Sequence, residues 1–295
     1  MISSWETFVK NTTNIYGANG EEWLGKLPQL TIEIAAKYGL SQLTPVSNLS
    51  YNYVLKGLQD QREIVLKIGL DPEALAREAA ALRAFAGHGT VSVVASEPGI
   101  VLLAQAMPGE SLTSYFPGKD DEAIKIVSVL MKRLHQAPIT TSTVFNSIEQ
   151  WLSALDQECK EIAAPYLAKA RSLRDKLLAT SSGPVLLHGD LHHDNILSNG
   201  QDWLVIDPKG VVGDPVYEVA AFIRNPMPKL LEHPRAVSII RHRINQFAAN
   251  TGYSRQRIQD WCYVQAVLSW IWDLEENVVG KPYHQRFTEV LSCLD

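Results

Sequence analysis

Hydrophobic and polar positions divide the chain into a strand-rich first part and a mostly helical second part. The runs NYVLKGL and EIVLKIGL are rich in β-branched residues and flank the polar segment QDQR, which predicts a hairpin. VSVVAS and IVLLAQAM predict two more strands around the turn EPG. Between these pairs, DPEALAREAAALRAF has apolar residues at helical spacing, with Asp71 as its expected N-cap.

Helical patterns dominate elsewhere. Near the start, short helices are predicted for EEWLGKLPQL and TIEIAAKYGL. Further helices are predicted for DDEAIKIVSVLMKRLHQ, for a region from about Ile148 to Thr180, and for the chain after Asp214. PVLLHGD and WLVIDPKG are short strands within this half. Because Pro108 and Gly109 break the pattern, we place a lobe boundary there, with residues 1–107 as a β-rich N-terminal lobe and 108–295 as a helical C-terminal lobe.

Composition removes several classes of function. A formal net charge of -5 argues against a protein that binds nucleic acid by neutralising phosphates over a broad surface. No apolar run approaches the length of a membrane span, and MISSWETFVKN lacks the basic and apolar regions of a signal peptide. Cys159, Cys262 and Cys293 form no CxxC pair, so we expect reduced thiols in a cytoplasmic protein.

The segment VLLHGDLHHDNIL concentrates histidines and aspartates in apolar surroundings. One interpretation is a metal cage built from His188, Asp190, His192, His193 and Asp194, because alternate residues of a strand face one way and these side chains suit zinc or iron. Such a cage would indicate a metallohydrolase.

Phosphoryl transfer is the competing interpretation. It needs a carboxylate that orients the attacking hydroxyl, oxygen ligands for Mg²⁺, and a cation on the nucleotide phosphates. Asp190 and Asn195 have the five-residue spacing of a kinase catalytic loop, and Asp207 follows at the end of an apolar strand. Lys67 ends a predicted strand and Glu78 lies on the next predicted helix. Found in this order on these element types, the residues favour a kinase over the cage.

HGDLHHDNIL and VIDPKGVVGDPVYEVAAFIRNP carry a resemblance to a known family. Over nearly its whole length the chain resembles the aminoglycoside/hydroxyurea phosphotransferase family, the streptomycin-kinase-like branch of the protein-kinase-like fold. The resemblance implies a two-lobed α+β fold that binds ATP and Mg²⁺ in a cleft. It implies transfer of the γ-phosphoryl group to a hydroxyl of an aminoglycoside-type or hydroxyurea-like acceptor, which inactivates the antibiotic, in a monomer or homodimer.

By position, the resemblance implies a role for each candidate residue. Asp190 becomes the catalytic base, Asn195 and Asp207 become the Mg²⁺ ligands, and Lys67 with Glu78 becomes the pair that anchors the nucleotide phosphates.

Two further features complete the expected nucleotide site. The backbone from Gln105 to Met107 is the implied hinge that meets adenine. The phosphate-covering loop has no glycine within residues 45–56, so backbone N–H groups and the hydroxyls of Ser47 or Ser50 are expected to hold the phosphates of ATP or another nucleoside triphosphate. Glu218 stands where the family usually has Asp after its DPxY motif, which we interpret as a structural change.

A cationic acceptor is expected to meet the C-terminal helices. In WCYVQAVLSWIWDLEENV, Asp273 and Glu276 are three residues apart and share a helix face, and Trp270 could stack on a guanidinium or ammonium group. In the alternative interpretation, the charges form a solvated stripe and Trp270 lies in the core.

Other functions stay open at this point. A metabolic kinase of choline, homoserine or a sugar is the rival within the enzyme class. A metallohydrolase and a non-catalytic nucleotide-binding pseudokinase are the rivals outside it, although intact Lys67, Asp190, Asn195 and Asp207 argue against the pseudokinase.

Overall fold

The computed structural model describes residues 4–139, 144–275 and 282–294. By their internal contacts the residues form two compact units. The first consists of Met1–Arg83 with Val91–Ala106, and the second of Ala84–Thr90 with Met107–Asp295.

The first unit is a five-stranded antiparallel sheet with helices before and after its first three strands. The strand order is β1-β2-β3-β5-β4. Its elements are α1 (Ser4–Tyr16), α2 (Ala18–Tyr38), β1 (Leu40–Pro45), β2 (Tyr53–Gln59), β3 (Arg62–Ile68), α3 (Pro72–Ala84), β4 (Val93–Glu97) and β5 (Ile100–Ala104).

Local sequence signals explain these elements. The predicted hairpin is confirmed: β2 and β3 pair antiparallel, and Asp60 and Gln61 adopt the positive φ angles of a tight two-residue turn. Asp71 is confirmed as a helix cap, because its Oδ1 accepts the Ala74 N–H at 2.9 Å. Apolar side chains of the sheet pack in one buried cluster with Phe8 of α1 and Leu27 of α2.

The second unit is mostly helical and contains two small sheets. The sheets have the orders β10-β9-β6 and β7-β11-β8. Its strands are β6 (Pro108–Ser111), β7 (Asn146–Ser147), β8 (Val185–Leu187), β9 (Ile196–Asn199), β10 (Asp202–Val205) and β11 (Val211–Gly213). Its helices are α4 (Asp120–Leu134), α5 (Ile148–Leu152), α6 (Ala164–Ala179), α7 (Val219–Arg224), α8 (Lys229–Glu232), α9 (Ala236–Thr251), α10 (Arg255–Glu275) and α11 (Tyr283–Ser292).

Three sequence expectations differ from the structure. The short helices predicted from EEWLGKLPQL and TIEIAAKYGL are one helix, α2, with Pro28 inside it, and its Leu27 and Ile34 are both buried in the cluster with the sheet. Pro108 and Gly109 begin the strand β6 rather than a loop, because β6 lies at the edge of its sheet, where the missing proline N–H costs no ladder bond. The helical region from Ile148 to Thr180 is broken after α5 by a 3₁₀ turn and a loop, and α6 starts afresh with Pro165 in its first turn.

Helix α10 is the centre of the second unit. Every residue from 258 to 271 is buried, and α6, α7, α9 and α11 pack around it. Among the described residues, no helix is long and apolar enough to cross a membrane.

Candidate active site

The loop between β8 and β9, residues 188–195, carries the histidines and aspartates of the central motif. His188 is completely buried at its start. Its Nε2 lies 2.7 Å from the Ile206 carbonyl oxygen, and its Nδ1 accepts the Asp190 N–H at 3.1 Å. These partners place the proton on Nε2, and burial lowers the pKa of the imidazole. A neutral His188 therefore fixes the backbone around Asp190.

Glu218 holds the same backbone from the other side. Its Oε2 accepts the His188 N–H at 2.6 Å and its Oε1 accepts the Gly189 N–H at 3.0 Å, from a side chain with no solvent exposure. Gly189 has a φ of +84°, and a Cβ there would lie 2.9 Å from Cη2 of Trp151. Glycine is required at this position both by backbone conformation and by the close approach of the indole.

Asp190 follows directly, and each of its carboxylate oxygens faces a donor. Oδ1 lies 3.3 Å from Nη2 of Arg224, and Oδ2 lies 3.5 Å from Nε2 of His192. Burial alone would raise the pKa of Asp190, but His192, Arg224 and Lys209 outweigh it and hold the pKa well below its usual range. The group is therefore an ionised carboxylate at neutral pH.

Arg224 is a residue of this site that sequence reasoning missed. It ends α7, and its Nη1 donates to Oε1 of Gln265 at 2.5 Å. Gln265 in turn donates from Nε2 to the Tyr217 carbonyl oxygen at 2.8 Å. The only signal in the sequence was its place inside the block EVAAFIRNP, which reveals nothing about a partner 34 residues away.

A buried arginine fixes the end of α7 that bears Arg224. Arg243 is fully buried, and its Nη1 donates to the carbonyl oxygens of Phe222 and Ile223 at 3.1 Å each. Its Nη2 lies 2.6 Å from Oδ1 of Asp120. These bonds occupy carbonyl groups that a helix end otherwise leaves without partners.

Asn195 and Asp207 offer hard oxygen ligands. The Asn195 Nδ2 donates to the Asp190 carbonyl oxygen at 2.9 Å, which leaves its amide oxygen as the group suited to a metal ion. Asp207 is half-buried two residues after β10, and its φ of +59° is strained for a residue with a side chain. The Ile206 N–H donates to the Asn195 carbonyl oxygen at 3.0 Å and ties the two segments together. An amide oxygen and a carboxylate fit Mg²⁺.

The metal-cage interpretation is wrong. Both ring nitrogens of His188 are engaged with backbone. His193 is buried and stacks on Phe222 with 3.9 Å between ring centroids, so it points into the core. Across residues 4–139, 144–275 and 282–294, no group of three His, Cys, Asp or Glu side chains is arranged to hold a metal ion.

Lys67 and Glu78 meet inside the first unit. Lys67 lies near the end of β3 and its Nζ is 2.7 Å from Oε2 of Glu78 on α3. Both side chains are less than a tenth exposed. A buried ion pair is a poor source of stability, because both charges lose their hydration. The arrangement matches the pair expected from the sequence, whose role as a phosphate anchor stays a proposal.

The other expected nucleotide contacts lie on accessible segments. Ser47 and Ser50 are exposed in the loop between β1 and β2. The Gln105 N–H donates to the Glu63 carbonyl oxygen at 3.1 Å, and the Met107 N–H donates to Oδ1 of Asn199 at 3.0 Å. Backbone contact with adenine at Met107 would therefore compete with the Asn199 side chain for this N–H.

The expected acceptor residues do not form one group. Trp270 is buried edge-on against Tyr166, with 5.8 Å between ring centroids, which is the core position of the alternative interpretation. Asp273 lies 2.5 Å from Nδ1 of His284 on α11. Glu276 lies outside the described residues.

The five-stranded sheet with its paired Lys67 and Glu78, and the helical unit with the Asp190 loop, have the fold of the protein-kinase-like phosphotransferases. The chain belongs to the aminoglycoside/hydroxyurea antibiotic resistance kinase family, whose family model matches residues 42–277. The predictions of the family, the two-part α+β fold and the enzyme class are confirmed.

Relatives of known activity cover most of the chain. The streptomycin 3''-kinase of Klebsiella pneumoniae is 32% identical over 63% of this chain and 71% of its own length. The streptomycin 6-kinase of Streptomyces glaucescens is 25% identical over 92% of this chain and 91% of its own. The hydroxyurea phosphotransferase of Kitasatospora aureofaciens is 29% identical over 90% of this chain and 78% of its own length.

Solved structures share the fold. A thermostable mutant of aminoglycoside phosphotransferase APH(4)-Ia with ADP and hygromycin B has a TM-score of 0.66 at 16% identity, covering 88% of this chain and 96% of its own. Choline kinase LicA of Streptococcus pneumoniae has a TM-score of 0.67 at 15% identity, and the match covers 92% of this chain and 100% of that one. Amicoumacin kinase hAmiN with AMP-PNP, Ca²⁺ and its ligand has a TM-score of 0.62 at 14% identity, and the match covers 92% of this chain and 94% of that one.

Proposed function

We propose that this kinase transfers the γ-phosphoryl group of ATP to a hydroxyl of a streptomycin-like aminoglycoside and so inactivates it. The observation that carries the proposal is Asp190, an ionised carboxylate held between Arg224 and His192 beside a Mg²⁺-compatible amide, in a chain whose relatives include streptomycin kinases. Hydroxyurea is the second candidate acceptor, since a hydroxyurea phosphotransferase is 29% identical over 90% of the chain.

Each named residue has a defined task in this reaction. Asp190 orients the attacking hydroxyl and accepts its proton as the bond to phosphorus forms. Lys67, held by Glu78, anchors the nucleotide phosphates. Asn195 and Asp207 would hold Mg²⁺, which when bound neutralises charge on the transferred phosphoryl group.

The environment of the enzyme is also a proposal. We place it in the cytoplasm, where ATP is available, and all three cysteines are unpaired, as expected of a reducing compartment. We propose that it works as a monomer or homodimer, with a nucleotide and a small hydroxyl compound as its partners.

A screen of acceptors tests the proposal. Purified protein with ATP and Mg²⁺ is offered streptomycin, hygromycin B, hydroxyurea, choline and homoserine, and ADP release is measured alongside mass spectrometry of the acceptor. Streptomycin that gains one phosphoryl group with wild-type protein, and not with Asp190→Ala, is the expected result. Phosphorylation of choline or homoserine with no turnover of any antibiotic would show a metabolic kinase instead.

A further inference from the structure

Helix α10 carries two tryptophans near its end, and they lie on different sides of the helix. Trp270 is buried against Tyr166 of α6. Trp272 is half-buried, and its ring meets Trp151 edge-on with 5.7 Å between centroids. The sequence interpretation selected Trp270 for the acceptor, whereas the packing makes Trp272 the accessible member of the pair.

The Trp272 side of α10 also carries Gln265, which holds Arg224, the partner of Asp190. Gln265, Trp272 and Glu275 recur at the spacing of seven and three residues that aligns side chains along one helix face. Gln265 binds Nη1 of Arg224, and Nη2 of the same arginine faces Asp190. The face therefore runs from the partner of the catalytic carboxylate to the exposed Glu275.

Trp151 joins this face to the reacting group. Its Cη2 is placed so closely over Gly189 that an added Cβ would lie 2.9 Å away, and Gly189 is the residue before Asp190. Tyr217 also packs on Trp151, with 6.4 Å between ring centroids. Trp151 is itself only half-buried, so aromatic surface lies next to the catalytic loop.

We propose that Trp151 and Trp272, here called the aromatic corner, form the acceptor-binding wall of this kinase and that Glu275 completes it. The inference rests on the proposed function and names its acceptor subsite. Aromatic rings attract planar cations such as guanidinium groups, and a carboxylate pairs with the same groups in bidentate geometry. The acceptor class that fits is a hydroxyl compound that bears a guanidinium or ammonium group.

Kinetics of single variants test the aromatic corner. Trp272→Leu and Trp151→Leu are expected to raise KM for streptomycin about tenfold, which corresponds to about 1.4 kcal/mol of lost binding, without changing KM for ATP. Glu275→Gln is expected to raise the same KM about threefold, and less at high salt, since an exposed charge pair is screened. Trp5→Leu, at a partly exposed tryptophan of α1 in the other unit, is the matched control and should leave both KM values unchanged.

The Phe variants guard against misfolding. Trp151→Phe and Trp272→Phe keep a ring, so they should fold and shift KM for streptomycin by a smaller factor than the Leu variants. Tryptophan fluorescence of the wild type should be quenched by streptomycin, and the double Phe variant should lose most of that quenching.

Failure of this inference is distinct from failure of the proposed function. If wild type phosphorylates streptomycin and Trp151→Leu, Trp272→Leu and Glu275→Gln all keep the wild-type KM for it, the aromatic corner is not the acceptor wall while the function stands. If the screen finds only a neutral acceptor, or finds none and streptomycin does not quench the fluorescence, the cationic subsite is refuted together with the streptomycin assignment.

Discussion

Removing the carboxylate of Glu218 should loosen the catalytic loop without touching a reacting group. Glu218 is fully buried and accepts the N–H groups of His188 and Gly189 at 2.6 and 3.0 Å. Glu218 therefore holds the backbone just before Asp190 rather than the Asp190 side chain, whose oxygens face Arg224 and His192. The variants Glu218→Gln and Glu218→Ala separate the loss of one bond from the loss of both.

The magnitude follows from the two hydrogen bonds. A hydrogen bond to a charged group contributes about 1.5–3 kcal/mol, so Glu218→Ala should lower the free energy of unfolding by about 3–6 kcal/mol. Glu218→Gln keeps one acceptor oxygen and turns an NH₂ group toward the other N–H, so about half of that loss is expected. Since folded domains are stable by about 5–15 kcal/mol in total, the Gln variant should remain folded and is the informative one.

Urea unfolding followed by circular dichroism measures the stability, and steady-state kinetics on the best acceptor measures turnover. For Glu218→Gln, kcat should fall roughly tenfold to a hundredfold, because a small displacement of a catalytic group is costly, while KM for ATP stays the same. Glu149→Gln, at an exposed glutamate in the first turn of α5, is the control and should match wild type in both measurements. A Glu218→Gln protein with wild-type unfolding free energy and wild-type kcat would refute the reasoning.

Three further predictions concern the groups at the reaction centre. Asp190→Asn should lower kcat by about 10²-fold or more and leave ATP binding intact, because it removes the proton acceptor; unchanged turnover would exclude Asp190 as the base. Asp207→Ala should weaken binding of Mg·ATP in calorimetry far more than binding of metal-free ATP, and equal losses would count against coordination by Asp207. Arg224→Gln removes a charge that keeps the pKa of Asp190 low. In this variant the pKa of Asp190 should rise, so the base is protonated at a higher pH and the acid limb of the kcat/KM profile shifts to higher pH. A pH profile that coincides with that of wild type would contradict this.

Local signals in the sequence determined most elements and the chemistry of the central motif. The β2–β3 hairpin depends on adjacent strands and a two-residue turn, and the Asp71 cap acts on an N–H only three residues away. The spacing of Asp190 and Asn195 lies within one loop, where the chain itself holds the groups together. Such features are set by neighbouring residues, so a pattern in the sequence is enough to predict them.

Tertiary packing alone decided which distant residues support the catalytic carboxylate. Arg224 is 34 residues from its partner Asp190 in the sequence, and Glu218 is 29 residues from its partner Gly189. Nothing in the sequence around Arg224 or Glu218 indicates these partners. The choice between Trp270 and Trp272 was equally hidden. Because α10 is buried on all sides from residue 258 to 271, it has no polar stripe that would distinguish one face from another. Only the elements packed around this helix direct Trp270 against Tyr166 and Trp272 against Trp151, the residue that lies over Gly189.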